Sequence, residues 1–320
     1  MNDRTKRYWE FVNNEWFHNL SDKTILVSGY RSDSIRRPDN TAKVLAMGNV
    51  RVALVNGHIQ YFDNKKVQVK IKDGCWDIKN TVPNELLITT ANDSFAIYIT
   101  PIDNDSNKNI EEAKQRIEVV ATIGVILFGT HLIYEHLFEN VYKIEKNGKE
   151  TISSFFDTLK SVIPFDEISI SNNDLIDYET IGNKLNTLDS NKKAKICLAA
   201  RWHYKGLKET HPVDEFLCYW IALEILAMPD TTNIRPIAQR LAKIYNLTEK
   251  ELRERLSLGR LFDFRSKIVH EGYRGGIYYY IIDCVRSIFL DILQDEIGFF
   301  SVKASELYIK DGKIKNFLPD

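Results

Sequence analysis

Two residues near the end of a predicted helix, Arg265 and His270, are of the types that act on phosphate esters. The stretch L-G-R-L-F-D-F-R-S-K-I-V-H-E-G, from Leu258 to Gly272, has apolar residues at helical spacing. One face of that helix would carry Leu258, Leu261, Arg265, Ile268 and Val269. Arginine within an apolar face is costly unless it is paired. An always-charged guanidinium beside a histidine that titrates near neutrality suits work on a phosphodiester. The alternative is a structural arginine paired with a core carboxylate, next to an incidental surface histidine.

A second predicted helix supplies a carboxylate that could pair with Arg265. It runs from Pro212 to Met228, with Pro212 suited to the first turn. Glu224 lies on its apolar stripe, four residues after Trp220. One core-facing glutamate and one core-facing arginine on neighbouring helices imply an ion pair. We therefore predict that Glu224 lies near the Arg265 helix and holds the guanidinium in position.

Three strings in the C-terminal part of the chain resemble the HEPN superfamily, and most closely its Apea-like branch. The R-x4-H spacing from Arg265 to His270 resembles the signature of that superfamily. The string F-L-C-Y-W-I-A-L-E-I-L, residues 216–226, resembles the earlier helix of that branch, and R-W-H-Y, residues 201–204, precedes it. The resemblance covers roughly residues 187–300.

The resemblance implies a fold, an activity and partners. HEPN domains are small antiparallel helical bundles, and many are metal-independent endoribonucleases that act as toxins or antiviral defence effectors. It implies catalytic roles for Arg265 and His270, with Glu224 in support and neither metal nor cofactor required. The implied partners are RNA, a second copy of the chain facing the first across the two motifs, and an antitoxin or another defence protein. Nuclease members often carry Asn, Asp or His directly after the arginine, whereas this chain has Ser266, which could donate a supporting hydrogen bond.

Four further residues could contact RNA. Lys267 and Arg274 are candidate phosphate contacts, although solvated surface charge is the more common role for such residues. Tyr278 could stack on a base. His203, in the R-W-H-Y string, could bind a nucleotide, but a partly buried structural histidine is the favoured interpretation.

Composition excludes several classes of protein. The net charge of −1 over 320 residues excludes a bulk polyanion binder, while residues 191–274 hold 16 Lys and Arg against 10 Asp and Glu, a modest excess that is compatible with RNA. The four cysteines, at positions 75, 197, 218 and 284, are too scattered for a zinc site or a disulfide framework. No signal peptide opens the chain, so we expect a cytoplasmic protein. The apolar run of residues 119–128 is too short to span a membrane and is expected to form a central buried helix.

The expected fold class is α+β, in four segments. Residues 1–105 read as a small β-rich domain, with hairpins predicted at Asn56-Gly57 and Asp73-Gly74. Residues 106–186 read as a helical connection, with helices over 110–140 and 151–162 and an irregular stretch over 171–187. Residues 187–300 read as the HEPN-like bundle, with helices near 191–206, 212–228, 234–246, 249–270 (broken near Gly259) and 277–297. Residues 301–320 read as a C-terminal hairpin.

Three functions remain open at this stage. The first is a dimeric metal-independent endoribonuclease, with the N-terminal domain sensing a trigger or selecting substrate. The second is a module that holds RNA or a nucleotide in the same cleft without catalysis, which the serine at position 266 favours. The third is a structural dimerising protein, in which the arginine and glutamate only fix the register of two helices.

Overall fold

A computed structural model describes residues 23–32, 35–36, 43–56, 59–60, 68–72, 75–79, 87–88, 94–103, 106–129, 133, 135–144, 150–156, 160–161, 168–169, 172–228, 233–272 and 275–318. The chain divides into two compact units, residues 1–182 and 183–320. Strands dominate the described part of the first unit and helices that of the second. The chain is therefore an α+β protein, as the sequence predicts.

The first unit is built on an antiparallel sheet. Its described strands are β1 (Thr24–Ser32), β3 (Lys43–Met47), β4 (Val50–Asn56), β9 (Ser94–Ile102), β10 (Glu135–Ile144), β11 (Glu150–Phe156) and β12 (Lys160–Ser161). Their order is β11-β10-β1-β9-β4-β3, and β12 also pairs with β10. Three short pairs accompany the sheet: β2 (Ile35–Arg36) with β13 (Ile168–Ser169), β5 (Ile59–Gln60) with β8 (Leu87–Ile88), and β6 (Gln68–Lys72) with β7 (Cys75–Lys79).

The sheet is buried on both faces around its central strand. Successive residues of a strand point to opposite faces, and Ile25, Leu26 and Val27 of β1 are all fully buried. Helix α1 (Asn107–Phe128) packs on the sheet, and a Lys114 Nζ to Glu139 Oε1 ion pair of 2.6 Å ties it to β10. The helix is buried along residues 120–126, as the apolar run predicts. Among the described residues, no helix combines the length and apolar character needed to cross a membrane.

Several predictions for the first unit are wrong. Strand β4 pairs with β3 and β9, and β5 pairs with β8, so Asn56-Gly57 does not join a hairpin of β4 and β5. The predicted helix over 110–140 ends at Phe128, where Gly129 adopts a φ of 57°, and the remainder forms β10 beside β1. The region predicted as a helix over 151–162 contains β11 and β12. The central sheet thus combines strands from both sides of the predicted boundary at residue 105. The hairpin at residues 73–74 is confirmed by the pairing of β6 with β7.

The described part of the second unit is helical. Six of its helices have bounds close to the predicted ones: α3 (Ser190–Lys208), α4 (Pro212–Ala227), α5 (Arg235–Tyr245), α6 (Glu249–Arg255), α7 (Leu258–Glu271) and α8 (Tyr279–Ile297). They are followed by α9 (Glu306–Asp311) and a 3-10 turn (Ile314–Asn316), which the sequence did not predict. Helix α2 (Asn172–Thr187) occupies the stretch that was predicted to be irregular. The predicted break between α6 and α7 is present, but it falls at Ser257, in the left-handed region with a φ of 50°, and not at Gly259.

Helix α4 is the centre of the second unit, because it packs against α3, α7 and α8. Its Phe216, Tyr219 and Trp220 are almost completely buried. Its N-terminus fits the sequence, with Pro212 in the first turn followed by two acidic residues, Asp214 and Glu215. The central position of α4 means that a polar residue on it is held by a well-packed scaffold.

The C-terminal hairpin predicted over residues 301–320 is wrong, because the segment contains α9 and the 3-10 turn. Two buried polar side chains of α8 hold this segment in place. Asp291 accepts hydrogen bonds from the backbone N–H groups of Ala304 (2.7 Å) and Ser305 (3.0 Å). Gln294 donates to the carbonyl of Val302 at 2.7 Å. The pattern of residues 301–320 did not reveal these distant partners on α8.

Candidate functional site

The carboxylate of Glu224 on α4 is held from two directions. Trp220, one turn earlier on the same helix, donates its indole Nε1–H to Oε1 at 2.8 Å. Arg265 on α7 donates from Nη2 to Oε2 at 3.1 Å. The predicted contact between Glu224 and the Arg265 helix is therefore confirmed. We refer to these three side chains as the Trp220–Glu224–Arg265 cluster.

The cluster lies at the edge of the helical core. Trp220 is 1% exposed, whereas the side chains of Glu224 and Arg265 are 25% and 23% exposed. A guanidinium has five N–H donors in a rigid fork, and among the described residues Glu224 is the one acceptor for Arg265. Arg265 thus combines a fixed position with donors that remain available to an external oxyanion.

Packing of α7 against α4 directs Arg265 toward Glu224. The buried face of α7 consists of Leu258, Leu261, Phe264 and Ile268. The Phe264 ring lies 5.4 Å from that of Phe216, and the Phe262 ring lies 6.3 Å from that of Trp220. Arg265 lies on the helix between the buried turns of residues 261 and 268, so its stem is covered. Val269, predicted to share this face, is 49% exposed and lies outside it.

His270 is exposed in the last turn of α7. Gly272 ends the helix in the left-handed region, with a φ of 66°, as its predicted capping role requires. Residues five apart on an α-helix differ by about 140° around the axis and about 7.5 Å along it. Arg265 and His270 of one chain therefore do not point to a common position from the same helix face.

The remaining predicted residues have different surroundings. Ser266 and Lys267 directly follow Arg265 on α7, and both are half-buried. Tyr278, before α8, is 61% exposed, and its ring contacts the edge of Phe317 at 5.7 Å. Arg274 lies outside the described residues. Among the predicted site residues that the structure describes, Glu224 and Arg265 form a side-chain contact.

His203 cannot contact RNA in this structure, because it is fully buried. Its ring stacks on Phe289 at 4.8 Å and lies 5.2 Å from Tyr219. Burial lowers the pKa of His203 well below its usual value, and the nearby positive charge of Arg286 lowers it further. His203 is therefore a neutral core histidine at physiological pH, which is the structural interpretation that the sequence favours.

Sequence reasoning placed Trp220 on the apolar stripe of α4 but missed its polar role. The signal was available, because an indole N–H four residues before a glutamate on the same helix lies within reach of its carboxylate. The consequence for the site is that Glu224 is anchored independently of Arg265. Its second oxygen can therefore orient the guanidinium without losing its own position.

The described residues contain no group of three or more His, Cys, Asp or Glu side chains that could hold a metal ion. Helix α7 carries the positioned guanidinium of Arg265, the hydroxyl of Ser266 and the exposed imidazole of His270. These groups can bind a phosphate and transfer protons. Comparison of the chain with protein-family models, curated proteins and solved structures gave no match, so the likeness to HEPN domains rests on the sequence motifs alone.

Proposed function

We propose that this protein is a metal-independent endoribonuclease of the HEPN type, acting as a homodimer of its helical bundle. The observation that carries the proposal is the Trp220–Glu224–Arg265 cluster: a half-buried arginine, held by a separately anchored carboxylate, five residues before an exposed histidine. A half-buried ion pair seldom stabilises a protein more than apolar packing does. Its presence at the motif therefore favours a positioning role.

In the proposed reaction, the ribose 2′-hydroxyl attacks the adjacent phosphorus. The bond to the 5′-oxygen of the next nucleotide breaks, leaving a 2′,3′-cyclic phosphate and a 5′-hydroxyl. His270 transfers a proton as a general acid or base. Arg265 binds the non-bridging oxygens and offsets the negative charge that develops in the transition state. Ser266 donates a supporting hydrogen bond.

The geometry of α7 supports the need for a second copy. Arg265 points toward α4, while His270 lies about 140° further round the helix. A scissile phosphate bound to one chain could therefore contact one of the two side chains more easily than both. Two α7 helices facing one another would let an arginine and a histidine from different chains flank the same phosphate. This arrangement is the one that the HEPN resemblance implies.

The test is cleavage of RNA by the purified full chain in the presence of a metal chelator. RNA fragments ending in a 2′,3′-cyclic phosphate are expected, and DNA of the same sequence should stay intact because it lacks the 2′-hydroxyl. Arg265→Ala and His270→Ala should lose cleavage. The matched controls Arg253→Ala and His211→Ala, which change exposed residues of other parts of the helical unit, should retain it. Cleavage of DNA, or full activity of His270→Ala, would refute the proposed chemistry.

A second candidate function is RNA or nucleotide binding without catalysis. Ser266 favours it, because nuclease members of the family often have Asn, Asp or His at this position. In that case Arg265→Ala should weaken binding of RNA, while no fragments form with any variant. Product analysis on the same samples separates the two functions.

A further inference from the structure

Among the described residues of the sheet unit, three hydroxyl groups have no hydrogen-bond partner. They are Tyr98 Oη and Thr100 Oγ1 on β9 and Tyr178 Oη on α2. Tyr98 and Thr100 are 0% exposed, and Tyr178 is 1% exposed. The large majority of buried side-chain polar atoms in proteins are hydrogen-bonded, so these hydroxyls, together with the buried Nε of Arg116, require an explanation.

The three hydroxyls belong to one neighbourhood. Tyr98 and Thr100 are two residues apart on β9 and therefore lie on the same face of the sheet. The Tyr178 ring lies 6.0 Å from that of Phe128 on α1, and α1 packs on β9. Burial, and then the nearby Tyr178, raises the pKa of Tyr98 well above its usual value. The Tyr30 ring lies 5.4 Å from that of Tyr98.

A further polar pair lies on the same face beside them. Ser28 is the cross-strand partner of Tyr98, and its hydroxyl lies 2.9 Å from His136 Nε2. The His136 ring stacks on Tyr30 at 4.6 Å. Ser28 is fully buried and His136 is 5% exposed. One face of the sheet thus carries two sets of buried hydrogen-bonding groups, the Ser28–His136 pair and the hydroxyls of Tyr98 and Thr100.

We propose that Tyr98, Thr100 and Tyr178 line an enclosed site that binds a small, neutral molecule with both hydrogen-bond donors and acceptors. A hydroxyl both donates and accepts, so three of them suit a neutral guest better than an ion. Water and a small organic molecule share this chemistry, and the experiment separates them. The proposal does not depend on the proposed nuclease activity.

The first arm of the test asks whether removing each hydroxyl lowers or raises the thermal midpoint of the protein. Tyr98→Phe, Tyr178→Phe and Thr100→Val each remove one hydroxyl and keep the shape. If a guest satisfies the hydroxyl, the variant loses a hydrogen bond, and the thermal midpoint of the full chain should fall by about 2–4 °C. If the hydroxyl is unsatisfied, its removal should leave the midpoint unchanged or raise it, and that result overturns the site. Tyr278→Phe, which changes an exposed tyrosine, is the matched control and should not shift the midpoint.

The second arm identifies the guest. Native mass spectrometry of the purified full chain should show a mass above that of the polypeptide, which is lost on denaturation and absent from the Tyr98→Phe/Tyr178→Phe double variant. A native mass equal to that of the polypeptide, together with lower midpoints in the first arm, would assign the site to enclosed water and overturn an organic ligand.

Discussion

The ion pair between Glu224 and Arg265 allows a quantitative test by a double-mutant cycle. The cycle uses Glu224→Gln, Arg265→Met and the double variant. Glutamine keeps an oxygen that can accept from Trp220, while methionine keeps an apolar stem in place of that of arginine. The two single changes therefore remove the charge pair with little loss of packing.

The structure sets the expected size of the coupling. Removing one partner of a fully buried pair costs about 3–5 kcal/mol, whereas an exposed pair contributes about 0–1 kcal/mol. With side chains 25% and 23% exposed and an N–O distance of 3.1 Å, the pair lies between these limits. We expect Glu224→Gln to lower the free energy of unfolding by about 2 kcal/mol and the coupling energy to be about 1–2 kcal/mol.

The assay is urea denaturation of the four proteins at pH 7 and constant salt. The Lys310–Glu306 pair provides the matched control, because its side chains are 69% and 47% exposed. Its coupling energy should stay below about 0.5 kcal/mol. A coupling energy of Glu224 with Arg265 that is no larger than that of the control would refute the conclusion that the carboxylate holds the guanidinium.

Three further predictions concern the helical unit. Asp291→Asn should lower the free energy of unfolding by about 2–4 kcal/mol, measured in urea, because an amide nitrogen would face the backbone donors that the carboxylate now accepts from. Because the pKa of His203 is lowered in the folded protein, unfolding takes up a proton at mildly acidic pH. The free energy of unfolding should therefore fall as the pH drops below about 6.5, by up to about 1.4 kcal/mol per pH unit. His203→Phe should flatten this dependence in melts measured over a series of pH values. Gly206→Ala should lower the free energy of unfolding by about 1–3 kcal/mol, because the new Cβ would lie 2.5 Å from the Tyr219 ring. Gly259→Ala should raise it by about 0.5 kcal/mol, because the space around Gly259 is open. Thermal melts of the two variants test this contrast.

Helices α3 to α8 of the second unit could be predicted because their signals are local. Apolar periodicity and start and stop residues, such as Pro212 and Gly272, lie within each helix, and the structure confirms the elements they predict. The Glu224–Arg265 contact could be predicted because a charged residue on an apolar face needs a partner. The break near α7 could be predicted in kind but not in place, since a non-glycine residue, Ser257, adopts the left-handed conformation.

The strands after α1 could not be predicted from the local pattern. Residues 135–144 form β10 because β1 and β11 pair with its two edges. β1 is distant in sequence, and β11 is itself a strand that the sequence pattern did not predict. Local turn chemistry failed in the same way at Asn56-Gly57, where β4 pairs with β3 and β9. Distant pairing overrode the local preference in both cases.

The polar contacts of the site were only partly visible in the sequence. The pattern placed Glu224 and Arg265 together, whereas the four-residue spacing that lets the Trp220 indole anchor the glutamate was not used. The possible nucleotide-binding role of His203 is wrong for a physical reason, since the ring is enclosed between Phe289 and Tyr219. Burial of a single histidine depends on the packing of several helices and leaves no mark on its immediate neighbours in sequence.

The most direct test of the central claim, that Arg265 and His270 cut RNA, is induced expression of the wild type, His270→Ala and His211→Ala in cells, with the ends of total RNA analysed. The wild type and His211→Ala should arrest growth and produce fragments that end in 2′,3′-cyclic phosphates. His270→Ala, folded and equally abundant, should do neither. Intact RNA in cells that contain folded wild-type protein, or the same fragments with His270→Ala, would contradict the claim.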